Sequence, residues 1–496
     1  MREKAKYLLT KFAQKVSPAT LAIILIILTS SSLLFVWPIH GLADNGNFYR
    51  AIAGNGIYRL PTSYSQYSDY VVPKFGLLQY FNENKVQLFS SQNLFIQLAI
   101  LLNKIFYSHT IFDIRFLGFV YYVFYLGGIY LFTNSLTAPT RKFKNYLMAI
   151  FIVFAFGDSA FTLYFNSFFA EPGMLILMLY LCAAIISLAR NIYVHHWPMI
   201  TLFFIASILL VTMGSQNAIL AISLAIMGLG IMFLPNFKTR RLAAGFGIVL
   251  ILLSGIGIYK TASSEVFAAN DYQTFTHGIL DENSDPTKKI EKNGIDGQFA
   301  LMRNEPYYPK DYTALNPNSE DVKKNLIKKS NLSWVIKYYA THLKQMGDLL
   351  NVAAKDLTAI QPESVGNYPI DSGHEAKEQV TYFTFYSTFF SALFPSRYTF
   401  NCLIAVGLIA AFSVGFYKDF RAKRYQGILR LFLIIGLMTI VVIAPIFAIL
   451  IDGDADLSRR LFMIPISLNI ALLIFINDVF NHTLWNTEVG DGVVSE

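Results

Sequence analysis

Four short stretches concentrate the side chains that could do chemistry in an otherwise apolar chain of 496 residues. The first is His40-Gly-Leu-Ala-Asp44-Asn-Gly46. The second runs from Gly157-Asp158 through Tyr164 and Asn166 to Glu171-Pro172. The third is Gly214-Ser-Gln216-Asn217, and the fourth is Asp452-Gly-Asp454-Ala-Asp456-Leu-Ser-Arg459-Arg460. A carboxylate such as Asp44 could take the proton of an attacking hydroxyl; Asp158, Glu171 and the 452–456 aspartates are rival bases. Arg459 and Arg460 could hold a phosphate through charge-assisted hydrogen bonds. Asp158, Tyr164, Asn166, Glu171 and Gln216 have the donors and acceptors to shape a polar pocket. Asp452, Asp454 and Asp456 have the alternation that opens a calcium loop but lack its remaining ligands. A divalent metal is therefore an option that the chemistry does not require. Each group also has a plainer use: Asp44 could cap a turn with Asn45-Gly46, and the two arginines could snorkel toward lipid headgroups.

The elements that must position these residues are membrane spans. The chain is 54% hydrophobic and 15% charged, against roughly 25% charged in an average soluble protein, and its mean hydropathy is +0.45. Uncharged apolar runs long enough to cross a hydrocarbon layer of ~30 Å recur along it. They fall near residues 20–37, 112–135, 145–157, 173–189, 198–213, 217–235, 242–260, 399–417, 428–451 and 461–477. A soluble enzyme, a disordered chain and a secreted disulfide scaffold are excluded. The net charge of +8 comes without any nucleic-acid-binding motif and fits a membrane protein that keeps Lys and Arg on its cytoplasmic side. Cys182 and Cys402 lie inside apolar segments and read as small buried hydrophobes.

With the N-terminus inside, the inner connections carry Arg141, Lys142, Lys144, Arg190, Lys238, Arg240, Arg241, Lys418, Arg421, Lys423 and Arg424, besides the basic N-terminal tail. The short outer connections carry only Arg459 and Arg460. Every alternation agrees with the positive-inside rule, which puts both chain ends in the cytoplasm and all four polar stretches on the outer side. Two outer segments, 38–111 and about 261–398, are too long to be turns. Residues 332–354 carry apolar side chains at helical spacing, 88–106 do so in part, and Tyr382–Phe394 is rich in aromatics just ahead of a span. The segment 158–172 reads as a re-entrant or rim segment because it holds no Lys or Arg. The expected fold is an all-α polytopic membrane protein with about ten transmembrane helices and two long extracytoplasmic loops carrying juxtamembrane or amphipathic helices. Its parts are an N-terminal transmembrane module (1–262), a loop subdomain (263–398) and C-terminal helices with a short tail (399–496).

An acidic residue shortly after the first span, in a long outer loop, resembles the GT-C superfamily of polytopic glycosyltransferases. The order of the Asp44 loop, FGDSAFTLYFNSFFAEP (156–172), GSQNA (214–218), HGILDENSDPTKKIEKNGID (277–296), GNYPIDSG (366–373) and DGDADLSRRLF (452–462) is similar to bacterial WsfD-type hexose transferases of surface-glycan assembly. Ser215 and the Arg459-Arg460 pair depart from that group's pattern. The resemblance implies inverting transfer of a hexose from a polyprenyl-phosphate donor to an extracytoplasmic glycan or polymer, at the bacterial cytoplasmic membrane among its lipids. It also implies that Asp44 is the general base and that no nucleic acid is a partner. A glycan polymerase or ligase, or a lipid-linked-sugar flippase, is the alternative. The flippase is disfavoured because the span interiors are nearly free of ionisable residues.

Overall fold

The computed structural model describes residues 14–486 apart from 61–62, 81–88, 236, 263, 282–284, 308–314, 358–359, 361–364 and 456. Asp456 and most of the basic N-terminal tail lie outside the described residues. The helices used below are α1 (Pro18–Phe35), α2 (Gln92–Phe106), α3 (Ile114–Thr137), α4 (Phe143–Phe156), α5 (Glu171–Ala189), α6 (Trp197–Val211), α7 (Leu220–Ile231) and α8 (Phe237–Lys260). They continue as α9 (Ser264–Thr274), α10 (Leu332–Thr341), α11 (Leu343–Asp356), α12 (Phe385–Leu393), α13 (Tyr398–Arg421), α14 (Gln426–Asp452) and α15 (Met463–Phe480). The protein is an all-α polytopic membrane protein.

Each of the ten expected spans is a helix. Among the described residues seven are long and apolar enough to cross a membrane, and eight if a bent pair counts as one span. That pair is α4 with Ser159–Asn166, which turn 55° from its axis; it is the rim segment read from the sequence. The remaining two, α6 (15 residues) and α7 (12 residues), fall short of the ~20 residues of a full crossing. Between them Gly214 is extended and Ser215–Ile219 forms a 3-10 turn, where the Asn217 amide donates to the carbonyl of Leu210 at 3.0 Å.

Span starts follow from local chemistry. The Ser17 hydroxyl accepts the amide N–H of Thr20 at 3.1 Å, with Pro18 in the first turn of α1. Asp113 caps α3 by accepting the N–H of Arg115 at 3.0 Å. Each satisfies a donor that the helix start would leave orphaned. α5 is buried along almost its whole length, packed by α3, α6, α14 and α15, so it forms the centre of the bundle.

Two loop elements differ from expectation. The first long loop contains a three-stranded antiparallel sheet, β1 (Ile57–Arg59), β2 (Lys74–Leu77) and β3 (Ile111–Asp113), in the order β1-β2-β3. Strands of three or four residues are too short to show a two-residue period. In the second loop the expected single helix over 332–354 is two, α10 and α11, broken at His342 (φ −122°, ψ 51°). The His342 ring stacks on Tyr338 at 4.1 Å, and its Nδ1 bonds the Tyr338 carbonyl at 2.8 Å. The break shifts the helical phase, so Leu343 of the expected apolar stripe is exposed while Gln345 is buried. The Tyr382–Phe394 stretch holds the amphipathic helix α12, with Tyr386 and Phe390 buried and Phe385, Phe389 and Leu393 exposed. Cys182 is buried and Cys402 half-buried, both as free thiols.

Candidate active site

Asp44 sits in an extended stretch clamped on both sides by backbone. Its own N–H donates to the carbonyl of Tyr67 (2.8 Å), while the N–H groups of Gly41 and Ala43 donate to Asn367 (3.2 Å) and Gly366 (2.9 Å). The Asn367 amide returns a bond to the carbonyl of Gly41 at 3.0 Å. Gly366 is required by close approach: a Cβ there would lie 2.1 Å from the carbonyl oxygen of Asp69. The GNYPIDSG stretch is thus part of the frame that holds Asp44. His40 closes the frame with Nδ1 on the carbonyl of Leu33 at 3.0 Å and its ring against Tyr368; burial pulls its imidazole pKa down.

The Asp44 side chain is itself buried. Oδ1 accepts the N–H groups of Gly46 (2.8 Å) and Phe48 (3.2 Å). Oδ2 accepts Nε of Arg59 at 2.7 Å and also its Nη2. The Arg59 guanidinium lies over the ring of Tyr67, 4.5 Å from its centroid. Sequence reasoning missed Arg59, which reaches Asp44 only because β1 returns along the sheet.

From Asp44 a continuous set of contacts leads to the second and fourth stretches. Phe48 packs edge-on against Phe169 at 4.8 Å, and the Arg459 guanidinium lies over the same Phe169 ring, 4.9 Å from its centroid. Arg459 Nε donates to Oε1 of Glu171 at 3.1 Å. Glu171 is fully buried and its Oε2 has no hydrogen-bond partner among the described residues. An unmatched buried carboxylate oxygen is costly and is the kind of acceptor that a ligand hydroxyl or a water satisfies. Tyr164 packs between Phe169 (5.7 Å) and Phe462 (5.2 Å), with its hydroxyl donating to the carbonyl of Ile360 at 3.0 Å.

Beside this cluster a cavity of about 460 Å³ opens between α7, α8 and α14. Ser215, Gln216, Lys260 and Arg460 line its polar end; Leu252, Ile256, Ala444, Phe447 and Ile451 line its apolar walls. Arg460 is paired with Asp452. A narrower recess of about 40 Å³ shares Gln216 and Arg460 and extends to Asn270 and Asp271 on α9. Burial pushes the Asp271 carboxyl up to about 6.

A family model described as the YfdI N-terminal transmembrane domain matches residues 3–494. The chain belongs to that family. A search of curated proteins finds no match. Among solved structures, the oligosaccharyltransferase of Archaeoglobus fulgidus, crystallised with a tethered acceptor peptide, aligns with a TM-score of 0.38 and 13% identity. The alignment covers 94% of this chain and 50% of that one, so this chain spans half the length of that structure.

In this YfdI-type domain the fold brings together Asp44, Tyr164, Glu171 and Arg459, with Gln216 and Arg460 in the adjoining cavity. Asp158 and Asn166 are engaged elsewhere. Asp158 caps the bent segment through the N–H of Ala160 (2.8 Å) and anchors the aromatic loop through the N–H of Ser387 (2.9 Å) and its hydroxyl (3.0 Å). The Asn166 amide donates to the carbonyls of Leu34 (2.9 Å) and His40 (2.8 Å), tying the rim segment to the end of α1. The weak metal candidates do not converge: Asp452 faces Arg460, whereas Asp454 faces Nδ1 of His277 at 3.2 Å. Among the described residues no three His, Cys, Asp or Glu side chains group as metal ligands do. The HGIL stretch serves the fourth cluster structurally, since the N–H of Asp454 donates to the carbonyl of His277 at 3.0 Å.

Proposed function

We propose that the protein is a GT-C-type membrane glycosyltransferase that moves a hexose from a polyprenyl-phosphate donor to a glycan or polymer acceptor. In this reading the protein lies in the bacterial cytoplasmic membrane with both chain ends inside, and the reaction occurs on the outer face. The observation that carries it is the cavity of about 460 Å³ with Arg460, Lys260 and Gln216 at one end and hydrocarbon walls at the other, linked to the clamped Asp44 through Phe48, Phe169 and Arg459. A polyprenyl phosphate is divided in the same way, an anionic head on an apolar chain.

Asp44 takes the acceptor hydroxyl's proton as that oxygen attacks the anomeric carbon. The bond from the anomeric carbon to the phosphate oxygen breaks, and its electron pair leaves with the polyprenyl phosphate. Arg460 and Arg459 stabilise the charge that develops there. A single displacement inverts the anomeric centre and needs no covalent enzyme intermediate. The unpartnered oxygen of Glu171 and the amide of Gln216 receive sugar or acceptor hydroxyls. A divalent metal is not required by this reading.

The test is transfer by the purified protein in detergent from a panel of labelled polyprenyl-phosphate hexoses. The expected product is an acceptor extended by one sugar, with free polyprenyl phosphate released. Arg460→Ala should raise the donor KM by about tenfold, the scale of one lost charge-assisted contact. Release of no sugar from any donor, or growth only by whole oligosaccharides, overturns the reading.

A further inference from the structure

Resting on the reading of Asp44 as the base, the geometry raises a question about its availability. A carboxylate has about four acceptor positions, and all four of Asp44's are occupied: two by the amides of Gly46 and Phe48, two by Arg59. No lone pair is left for an incoming hydroxyl, so one donor must leave before Asp44 can accept a proton.

The amides belong to the turn that Asp44 itself organises, and they cannot leave without unwinding it. Arg59 comes from another element. It ends β1, an edge strand of the small sheet, and its side chain is 22% exposed. Tyr67, over which the guanidinium lies, is a flat platform on which it can slide at little cost. Rotation of the Arg59 side chain frees Oδ2 and leaves the backbone in place. The ligand that competes best for a guanidinium fork is one with matching paired oxygens, and phosphate has that geometry. Two ring contacts link the Asp44 loop to the arginine read as facing the donor head: Phe48 on Phe169 at 4.8 Å, and Arg459 over Phe169 at 4.9 Å.

We propose that Arg59 is a positioning residue that masks Asp44 in the empty enzyme and shifts onto the donor phosphate when the donor binds. Oδ2 is then exposed to the acceptor hydroxyl only once a donor is present. The exchange makes donor binding a precondition of base catalysis and keeps the base covered when no donor is bound.

Equilibrium binding of sugar-free polyprenyl phosphate to the purified full chain tests the exchange. The proteins compared are wild type, Asp44→Asn, Arg59→Ala and the double variant, each with its thermal midpoint recorded. Removing the competing carboxylate charge should tighten phosphate binding in Asp44→Asn, by about threefold or more, since weakening one partner of a competition favours the other. Arg59→Ala should weaken it by about tenfold. The double variant should bind like Arg59→Ala, with the Asp44→Asn gain abolished. A merely structural ion pair predicts no tightening in Asp44→Asn, and that result overturns the proposal. If Arg59→Ala does not fold, Arg59→Lys, which keeps the charge without the fork, and Asp44→Asn alone still decide. Transfer assays judge the base separately. An Asp44→Asn variant that binds tighter yet transfers normally removes the base reading and leaves the Arg59 exchange standing. One that loses transfer with unchanged phosphate affinity removes the exchange and leaves the base.

Discussion

At the end of the bundle away from the long loops, Asp478 on α15 is buried between two arginines. Its Oδ1 accepts Nη2 of Arg190 (2.6 Å) and the hydroxyl of Thr483 (3.1 Å), and its Oδ2 accepts Nη1 of Arg430 (2.7 Å). Arg190 also donates to the carbonyl of Leu136, so the group ties together the ends of α3, α5, α14 and α15. At the loop-bearing end the arginine–carboxylate pairs are separate: Asp44 with Arg59, Glu171 with Arg459, Asp452 with Arg460. Glu171 keeps an unmatched oxygen, and Arg460 faces a cavity. The contrast teaches that a buried ion pair is not itself a sign of function. A closed group that joins four helices holds a bundle together. A carboxylate with an unmatched oxygen, such as Glu171, or an arginine that faces a cavity, such as Arg460, has something left to give a ligand.

Four variants can break or sharpen that contrast. The largest effect is expected for Asp44→Asn, which keeps the shape but replaces one acceptor oxygen by an amide NH2 that can take neither the proton nor a donor's bond. Transfer by the folded protein should fall by about 10² to 10⁴, and the thermal midpoint should drop because Arg59 loses its counter-charge. Turnover above about a tenth of wild type lies far outside that range and would falsify the assignment, making Asp158 the next base to test.

Asp478→Ala should act in the opposite sense. Two arginines would be left without their counter-charge, at a cost of about 3–5 kcal/mol, the usual penalty for breaking a buried pair by removing one partner. Unfolding in detergent reads this directly, and donor KM in the folded fraction should stay at the wild-type value. A changed KM at native stability would show that the far end also serves the site.

Gly453→Ala tests the joint between the fourth stretch and the second loop. Gly453 has φ +64°, and a Cβ there would lie 2.5 Å from the backbone of His277. Strain plus collision should cost roughly 1–3 kcal/mol and displace the turn bearing Arg460, so the midpoint should fall and donor KM rise together. A loss of stability with unaltered KM would separate the turn from the cavity.

The smallest effect is a pH dependence at Asp271. Its folded pKa, raised by burial to about 6, lies above its unfolded value, so the fold favours the neutral acid. The stability associated with that group is complete below the unfolded value near 4 and is lost as pH rises through about 6. Asp271→Asn removes the loss. It should raise stability at pH 7 by roughly 1 kcal/mol, discounted for partial exposure, and by nothing near pH 3.5. A gain that is equal at both pH values would assign the effect to packing.

The parts of the site legible in the sequence were those whose signal is local. Asp44, Glu171, Gln216, Arg459 and Arg460 stand out because charged or polar groups beside long apolar runs are conspicuous. Tyr164 and Asn166 were legible as residues of a rim segment, but their partners, Ile360, Leu34 and His40, were not. Arg59 gave no signal, since its strand has three residues and no alternation to read. Ser387, which takes both oxygens of Asp158 from 229 positions away, was equally silent, as was the raised carboxyl of Asp271.

What the sequence determined by itself is the membrane solvent and the segments that enter it. Burial of uninterrupted apolar runs is a property of the runs, and hydrocarbon imposes a helix on each because it offers backbone groups no other partner. The capping of those helices by Ser17 and Asp113 is equally local. Which polar residues meet was decided only by the tertiary structure. Glu171 and Arg459 are 288 positions apart, and nothing in either segment specifies the other. Their pairing follows from how the helices pack, as does the cavity that Arg460 lines. The clamp of 366–367 on Asp44, and the pairing of Asp44 with Arg59, follow from how the outer loops and the small sheet return to it. Local propensity acts over a turn of chain, whereas a buried charge is matched by whatever the packing brings within about 3 Å.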